Sequence, residues 1–172
     1  MNFTNSQIED FTIPSLEEVH LKPISKNYFK IIVINKIVVY GIFFAILLTL
    51  NRFVDDVAFQ ENFWVLFGVL FIFCLIDFTT SYIAFKNRKY AIREHDVIYA
   101  KGFLTRSITT VPISRIQHIE ESRSWLARQF HLSTLNIFTA GESGSDLTIK
   151  GLPKDEAKQI NDFLSSKVNG RI

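Results

Sequence analysis

Apolar positions divide the chain into unequal parts. From Ile31 to Leu50 the run IIVINKIVVYGIFFAILLTL carries a single charge, Lys36. As a helix rising 1.5 Å per residue it covers about 30 Å, the thickness of a hydrocarbon core. From Phe63 to Phe85, FWVLFGVLFIFCLIDFTTSYIAF again has one charge, Asp77, and its apolar residues fall on every helical face. Asn51 to Asn62 (NRFVDDVAFQEN) is polar enough to be the connection. The pattern predicts a transmembrane helical hairpin over 29–85, with helices of about 31–50 and 63–85. The rest of the chain is too short to cover two such helices in a soluble protein.

Lys36 precedes Leu50 by as many residues as Asp77 follows Phe63, so an antiparallel hairpin places both at one level near one membrane face. They are expected to face each other. Three readings are open: separate snorkelling to the headgroups, a structural ion pair, or part of an ion pathway. A pathway needs several polar groups in succession, and only two charges are present.

After Lys86 the pattern changes to short alternating runs. Tyr90 and Ile92 alternate with charged neighbours before a turn at Glu94-His95-Asp96, and a strand follows from Val97 to Phe103, with Gly102 allowing a bend or bulge. Ile108 to Ile113, Ile116 to Ile119, Leu135 to Ala140 and Leu147 to Ile149 are further strands, the last two joined by the turn Gly141 to Asp146. Ser124 is placed to cap a short helix through Phe130. After Pro153, Ala157, Ile160, Phe163 and Leu164 recur at helical spacing, predicting an amphipathic helix that lies on the sheet.

Charge orients this arrangement. Residues 86–172 hold fourteen Lys and Arg against nine Asp and Glu, whereas residues 1–85 hold five against eight. Lys22, Lys26 and Lys30 precede the first span, and Lys86, Arg88, Lys89 and Arg93 follow the second, while the loop 51–62 has Arg52 against Asp55, Asp56 and Glu61. The positive-inside rule puts both flanks in the cytoplasm and the loop outside. Residues 1–28 are then a polar cytoplasmic segment, without the basic start of a signal peptide, 86–168 a cytoplasmic domain, and 169–172 a tail. Trp64, Tyr28 and Tyr82 sit near the expected interfaces. The lone Cys74 has no disulfide partner and fits a reducing compartment. The basic excess suits an anionic leaflet but is too small and scattered for nucleic-acid binding.

Several segments together carry a family resemblance. They are Arg88-Lys89-Tyr90-Ala91-Ile92, Gly102-Phe103-Leu104-Thr105-Arg106, Val111-Pro112-Ile113-Ser114-Arg115-Ile116-Gln117, Arg128-Gln129-Phe130-His131-Leu132, Leu135-Asn136-Ile137-Phe138-Thr139-Ala140-Gly141 and Lys150-Gly151-Leu152. In this order after a helical hairpin, over roughly residues 20–165, the chain resembles the bacterial pleckstrin-homology-like (PH-like) domain of two-helix membrane proteins of the YdbS/YdbT type. The resemblance implies a small β domain of two packed antiparallel sheets, a sandwich or partly open barrel, closed by a C-terminal helix, in a bacterial cytoplasmic membrane. His131 departs from it, standing where the family more often has glycine, so the loop after Phe130 is expected to differ.

Candidate chemistry is sparse. A polyphosphate site of the phosphoinositide type needs several basic groups in the first hairpin, and Arg93-Glu94-His95-Asp96 offers two carboxylates beside one arginine. Phosphoinositide binding is not supported, although bulk anionic lipid is compatible. His20, His95, His118 and His131 are dispersed, so no metal site is expected. Gly141-Glu142-Ser143-Gly144-Ser145 lacks the context of a nucleophile elbow, and neither cofactor nor catalytic residues are identified. Arg106, Arg115 and Gln117 are candidate partner contacts, set against a reading in which Pro112 shapes the strand, Ile113 and Ile116 are core, and Arg115 and Gln117 satisfy backbone groups. Trp125 either enters the membrane interface or packs on the sheet.

The sequence therefore reads as a non-enzymatic, membrane-anchored binding module of the inner leaflet. Its expected partner is a membrane protein or a second copy. The alternative is an accessory subunit of a transport or resistance system that uses Lys36 and Asp77.

Overall fold

The computed structural model describes residues 19–140 and 147–170. The expected turn at Gly141 to Asp146, most of the polar N-terminal segment and Arg171-Ile172 lie outside the described residues.

The apolar runs form helix α1, Asn27–Phe53, and helix α2, Val57–Lys86, packed as a hairpin. Each is longer than its apolar run. At 27 and 30 residues they extend for about 40 and 45 Å, beyond the roughly 30 Å of a hydrocarbon core. Only Val54, Asp55 and Asp56 between them are not helical, and Asp56 accepts from the backbone N–H of Phe59 at 2.8 Å as an N-cap. Buried side chains are confined to Ile31 and Tyr40 in α1 and Phe63 in α2. Both helices are long and apolar enough to cross a membrane and lie almost uncovered by the other described residues. A soluble core helix would be covered.

Among the described residues are seven strands, six of which follow the alternation of the sequence. Strands β1 (Lys22–Pro23), β2 (Lys89–Ile92), β3 (Asp96–Lys101) and β4 (Ser107–Pro112) make one antiparallel sheet in that order. Strands β5 (Ile116–Ser122), β6 (Leu132–Thr139) and β7 (Leu147–Pro153) make the other. A 3-10 turn at Ile113–Arg115 carries the chain between the sheets, and helix α3, Trp125–Gln129, joins β5 to β6. Ser124 caps α3 by accepting from the Ala127 N–H at 3.2 Å. Helix α4, Lys154–Asn169, lays Ala157, Ile160 and Leu164 on the second sheet and the 3-10 turn. Inward residues of both sheets, including Tyr90, Val97, Tyr99, Val111, Leu135, Ile137 and Ile149, complete one core. The architecture is a helical hairpin carrying a two-sheet PH-like domain closed by a C-terminal helix.

His131 has φ 54°, in the left-handed region that glycine tolerates best. The departure noted in the sequence is thus a side chain carried on a glycine-type backbone. His131→Gly should stabilise the domain by about 0.5–1 kcal/mol in thermal unfolding, the steric gain exceeding the added chain entropy.

The buried Tyr90 hydroxyl donates to Glu156 at 2.5 Å, and Lys22 Nζ lies 2.6 Å from the same carboxylate, so β1, β2 and α4 share one polar clamp. Glu156→Ala leaves that hydroxyl without its acceptor and should cost about 1–3 kcal/mol in denaturant unfolding. Burial first, and the bond to Glu156 second, push the Tyr90 phenol well above its ordinary value. The resulting stabilisation is complete below the ordinary tyrosine pKa of about 10 and declines above it, where the unfolded chain ionises and the folded Tyr90 does not. Tyr90→Phe should flatten that alkaline decline.

Candidate functional site

The hairpin and the domain meet through specific contacts. The Ser25 N–H donates to the Gly151 carbonyl at 3.0 Å, and the Ile24 N–H donates to the Arg88 carbonyl at 3.3 Å. Gly151 has φ 82°, and a Cβ there would lie 2.6 Å from the Tyr28 ring, so the first turn of α1 is seated directly on β7. Arg88 lies over the other partner of this contact, 5.6 Å from the Tyr28 centroid. On the second sheet's side, Ile31 of α1 packs with Ala127 and Leu132, and Lys30 stands 6.0 Å from the Phe130 ring. On the first sheet's side, Asn87, the C-cap of α2, donates from Nδ2 to the Gly102 carbonyl at 3.1 Å. The domain is therefore fixed in orientation where the two helices leave the hairpin.

These contacts enclose a cleft of roughly 980 Å³ between the helix ends and the domain. Arg88 enters it from the end of α2, Lys101 from the end of β3 and Lys150 from β7. Among the described residues no carboxylate pairs with any of the three, and no Asp, Glu, His or Cys lines the cleft. Hydroxyl and amide groups complete the polar wall. Thr148 Oγ1 donates to Asn136 Oδ1 at 3.1 Å, and Asn136 Nδ2 donates to Ser122 Oγ at 3.3 Å. The buried Ser133 donates to Glu121, itself 3.4 Å from Arg123. Tyr99 also borders the cleft, and burial raises its phenol above the ordinary value despite the opposing charge of Arg88, so it remains a neutral donor.

Lys36 and Asp77 meet across the hairpin as an ion pair, and the buried Tyr40 hydroxyl donates to the same Asp77 oxygen at 2.8 Å. Asn35, Lys36 and Asp77 line a groove of roughly 480 Å³ between the helices whose other walls are mainly apolar.

The remaining candidate residues separate into two pairs. Arg106 is exposed in the β3–β4 loop and Trp125 is 72% exposed on α3; their neighbours Thr105, Ser107 and Ser124 line the basic cleft. Trp125 does not pack on the sheet, because Ala127 and Leu126 take the inward positions of so short a helix. Arg115 and Gln117 lie at the opposite end of β4 and β5, about 20 Å away by strand length, beside α4. Both are exposed, Gln117 at a register shift in the β5–β6 pairing, while Ile113 and Ile116 are core. The first β hairpin closes on itself: Arg93 Nε lies 2.6 Å from Asp96 Oδ1, with a second contact between Nη2 and Oδ2. No group of three or more potential metal ligands is found among the described residues.

The cationic residues Arg88, Lys101 and Lys150 were not singled out by sequence reasoning as a site. Two of them stand inside the family-like segments, but their convergence depends on how two sheets and a hairpin pack.

The sequence pattern of the family described as Bacterial PH domain matches residues 32–168. Among curated proteins, the chain is 26% identical over 102 residues to UPF0699 transmembrane protein YdbS of Bacillus subtilis (strain 168). That similarity spans 59% of each protein, so the chain covers about three fifths of its curated relative. No solved structure matches the chain. With the helical hairpin, the two antiparallel sheets and the closing helix in place over the matched residues, the chain belongs to the bacterial PH domain family.

Proposed function

We propose that the protein is a non-catalytic, membrane-anchored binding module that holds its PH-like domain against the cytoplasmic face of a bacterial membrane and offers it to a membrane-protein partner or a second copy. The observation carrying this reading is the seating of α1 on β7 through Tyr28 and Gly151. A flexible tether would only raise local concentration, whereas a fixed junction also fixes the direction of the binding surface and reduces the orientational cost of association. The lysines and arginines flanking the hairpin, against the acidic Asp55, Asp56 and Glu61 at its far end, support the cytoplasmic assignment.

Strand β4 is the edge of the first sheet, and it exposes Ser107, Ile108, Thr110 and Pro112. An extended peptide added to this edge would gain main-chain hydrogen bonds, with Ile108, 47% exposed, as an apolar contact. The transport alternative is less well supported, because Lys36, Asp77 and Tyr40 satisfy one another. The test is a photoreactive amino acid at Ile108 in native membranes, with Gln159 on the exposed side of α4 as control. A discrete protein adduct from position 108 alone is expected, at twice the chain mass for self-association. Adducts to lipid only, or none, would overturn the β4 assignment.

A further inference from the structure

The basic cleft lies at a particular depth. Its helical walls are Tyr28, Ile31 and Asn35 of α1, around the start of the first apolar run, and Ala84 of α2, next to the end of the second. Tyr28 to Ile31 covers about 5 Å of helix just ahead of the first apolar run, comparable with one headgroup layer of a bilayer. Arg88, Lys101 and Lys150 thus line a cleft beside the ends of the apolar runs, unpaired with any carboxylate among the described residues.

Two further features lie beside the cleft. Gly102, at φ 137°, makes a turn so tight that a Cβ would lie 1.9 Å from the Thr105 carbonyl oxygen, and this turn presents Phe103 and the 90% exposed Leu104 beside the end of α2. Across the cleft stands the exposed Trp125, on the helix that packs against Ile31. Aromatic and aliphatic groups beside a cationic pocket suit the boundary between headgroups and acyl chains. Below the cleft, Asn35 also lines the groove between α1 and α2, where Val39, Phe43, Leu70 and Phe73 supply an apolar track into the hydrocarbon region.

We propose that the cleft seats the phosphate of an anionic phospholipid from the leaflet the domain faces, with an acyl chain leaving along the groove past Asn35. Arg88, Lys101 and Lys150 neutralise the phosphate, and Asn136, Ser122 and Tyr99 offer polar contacts to a headgroup. The site is separate from the first β hairpin, where Arg93 is held by Asp96. It requires the hairpin to span a membrane but is independent of which side the domain occupies and of any protein partner.

The full chain, reconstituted in phosphatidylcholine nanodiscs with one fifth phosphatidylglycerol, tests this by photocrosslinking to headgroup-labelled lipid of each class. Phosphatidylglycerol should label the chain about tenfold more than phosphatidylcholine after correction for abundance. R88Q/K101Q/K150Q should abolish the preference, while K26Q/K30Q/K86Q, which removes equal charge at the same boundary outside the cleft, should retain most of it. Arg88 also packs on Tyr28, so K101Q/K150Q serves should the triple variant fail to fold, with an expected loss of about fivefold. Equal losses in the two triple variants would mean bulk surface electrostatics and overturn the proposal. So would the absence of a preference. A third arm adds soluble glycerol phosphate: no competition at millimolar concentration is expected, whereas full competition would identify a free phosphate as the ligand and overturn the lipid assignment.

Discussion

Asp77→Leu should destabilise the hairpin by about 3 kcal/mol, whereas Lys36→Leu/Asp77→Leu should return to within about 1 kcal/mol of the parent chain. The single change leaves an ammonium group without its counter-charge among Tyr40, Phe78 and lipid, with the Phe78 ring 5.9 Å from Lys36 Nζ. It also takes the acceptor from the Tyr40 hydroxyl, a loss of about 1 kcal/mol that the double variant keeps. Removing both charges replaces a costly pair by the apolar contacts that the rest of the hairpin uses, as the exposed Ile37, Val38, Phe73 and Ile76 around it show. Unfolding by denaturing detergent in bicelles reads both values. A double variant that folds and binds its partner yet loses physiological activity would favour the transport alternative. Retained activity would make the pair a structural clasp.

A comparable effect is expected where hairpin and domain join. Gly151→Val combines a left-handed backbone, at about 1–2 kcal/mol, with overpacking against Tyr28, at about 1–3 kcal/mol, and should cost about 4 kcal/mol in all. The damage should be localised, because β7 pairs with β6 on the other side through Leu135, Ile137 and their partners Ile149 and Leu147. Limited proteolysis should therefore cut first between α2 and β2, or ahead of α1, before the sandwich opens. A double-mutant cycle with Tyr28→Ala should show a coupling of about 1–2 kcal/mol. Additive losses would mean that the glycine is required for its backbone alone.

The membrane spans were legible because lipid imposes a simple demand: twenty or so residues that are apolar on all faces, left almost uncovered by the other described residues. Strands β2 to β4 were legible from alternation around Tyr90, Val97, Tyr99 and Val111, and α4 from the spacing of Ala157, Ile160 and Leu164. Strand β1 was not, since Lys22–Pro23 has no periodicity and exists only because Tyr90 and Lys89 lie opposite it. The helix ends beyond the apolar runs were also hidden, because residues such as Asn27 and Arg52 are helical by continuation rather than by burial. Tertiary proximity was the larger gap. Arg88 and Lys101 are brought level by the β2–β3 pairing, and the docking of Tyr28 on Gly151 brings β7, with Lys150, beside them. Trp125 was ambiguous for a related reason: a five-residue helix buries one side, and the placement of Ala127 against Ile31 decides which.

The central claim, a hairpin that crosses the membrane with its domain in the cytoplasm, is tested most directly by thiol accessibility in intact cells. In a Cys74→Ser background, Asp55→Cys marks the far end of the hairpin and Lys158→Cys the exposed side of α4. An impermeant maleimide should label position 55 in intact cells and position 158 only after permeabilisation; labelling of both positions from the same side would contradict the account.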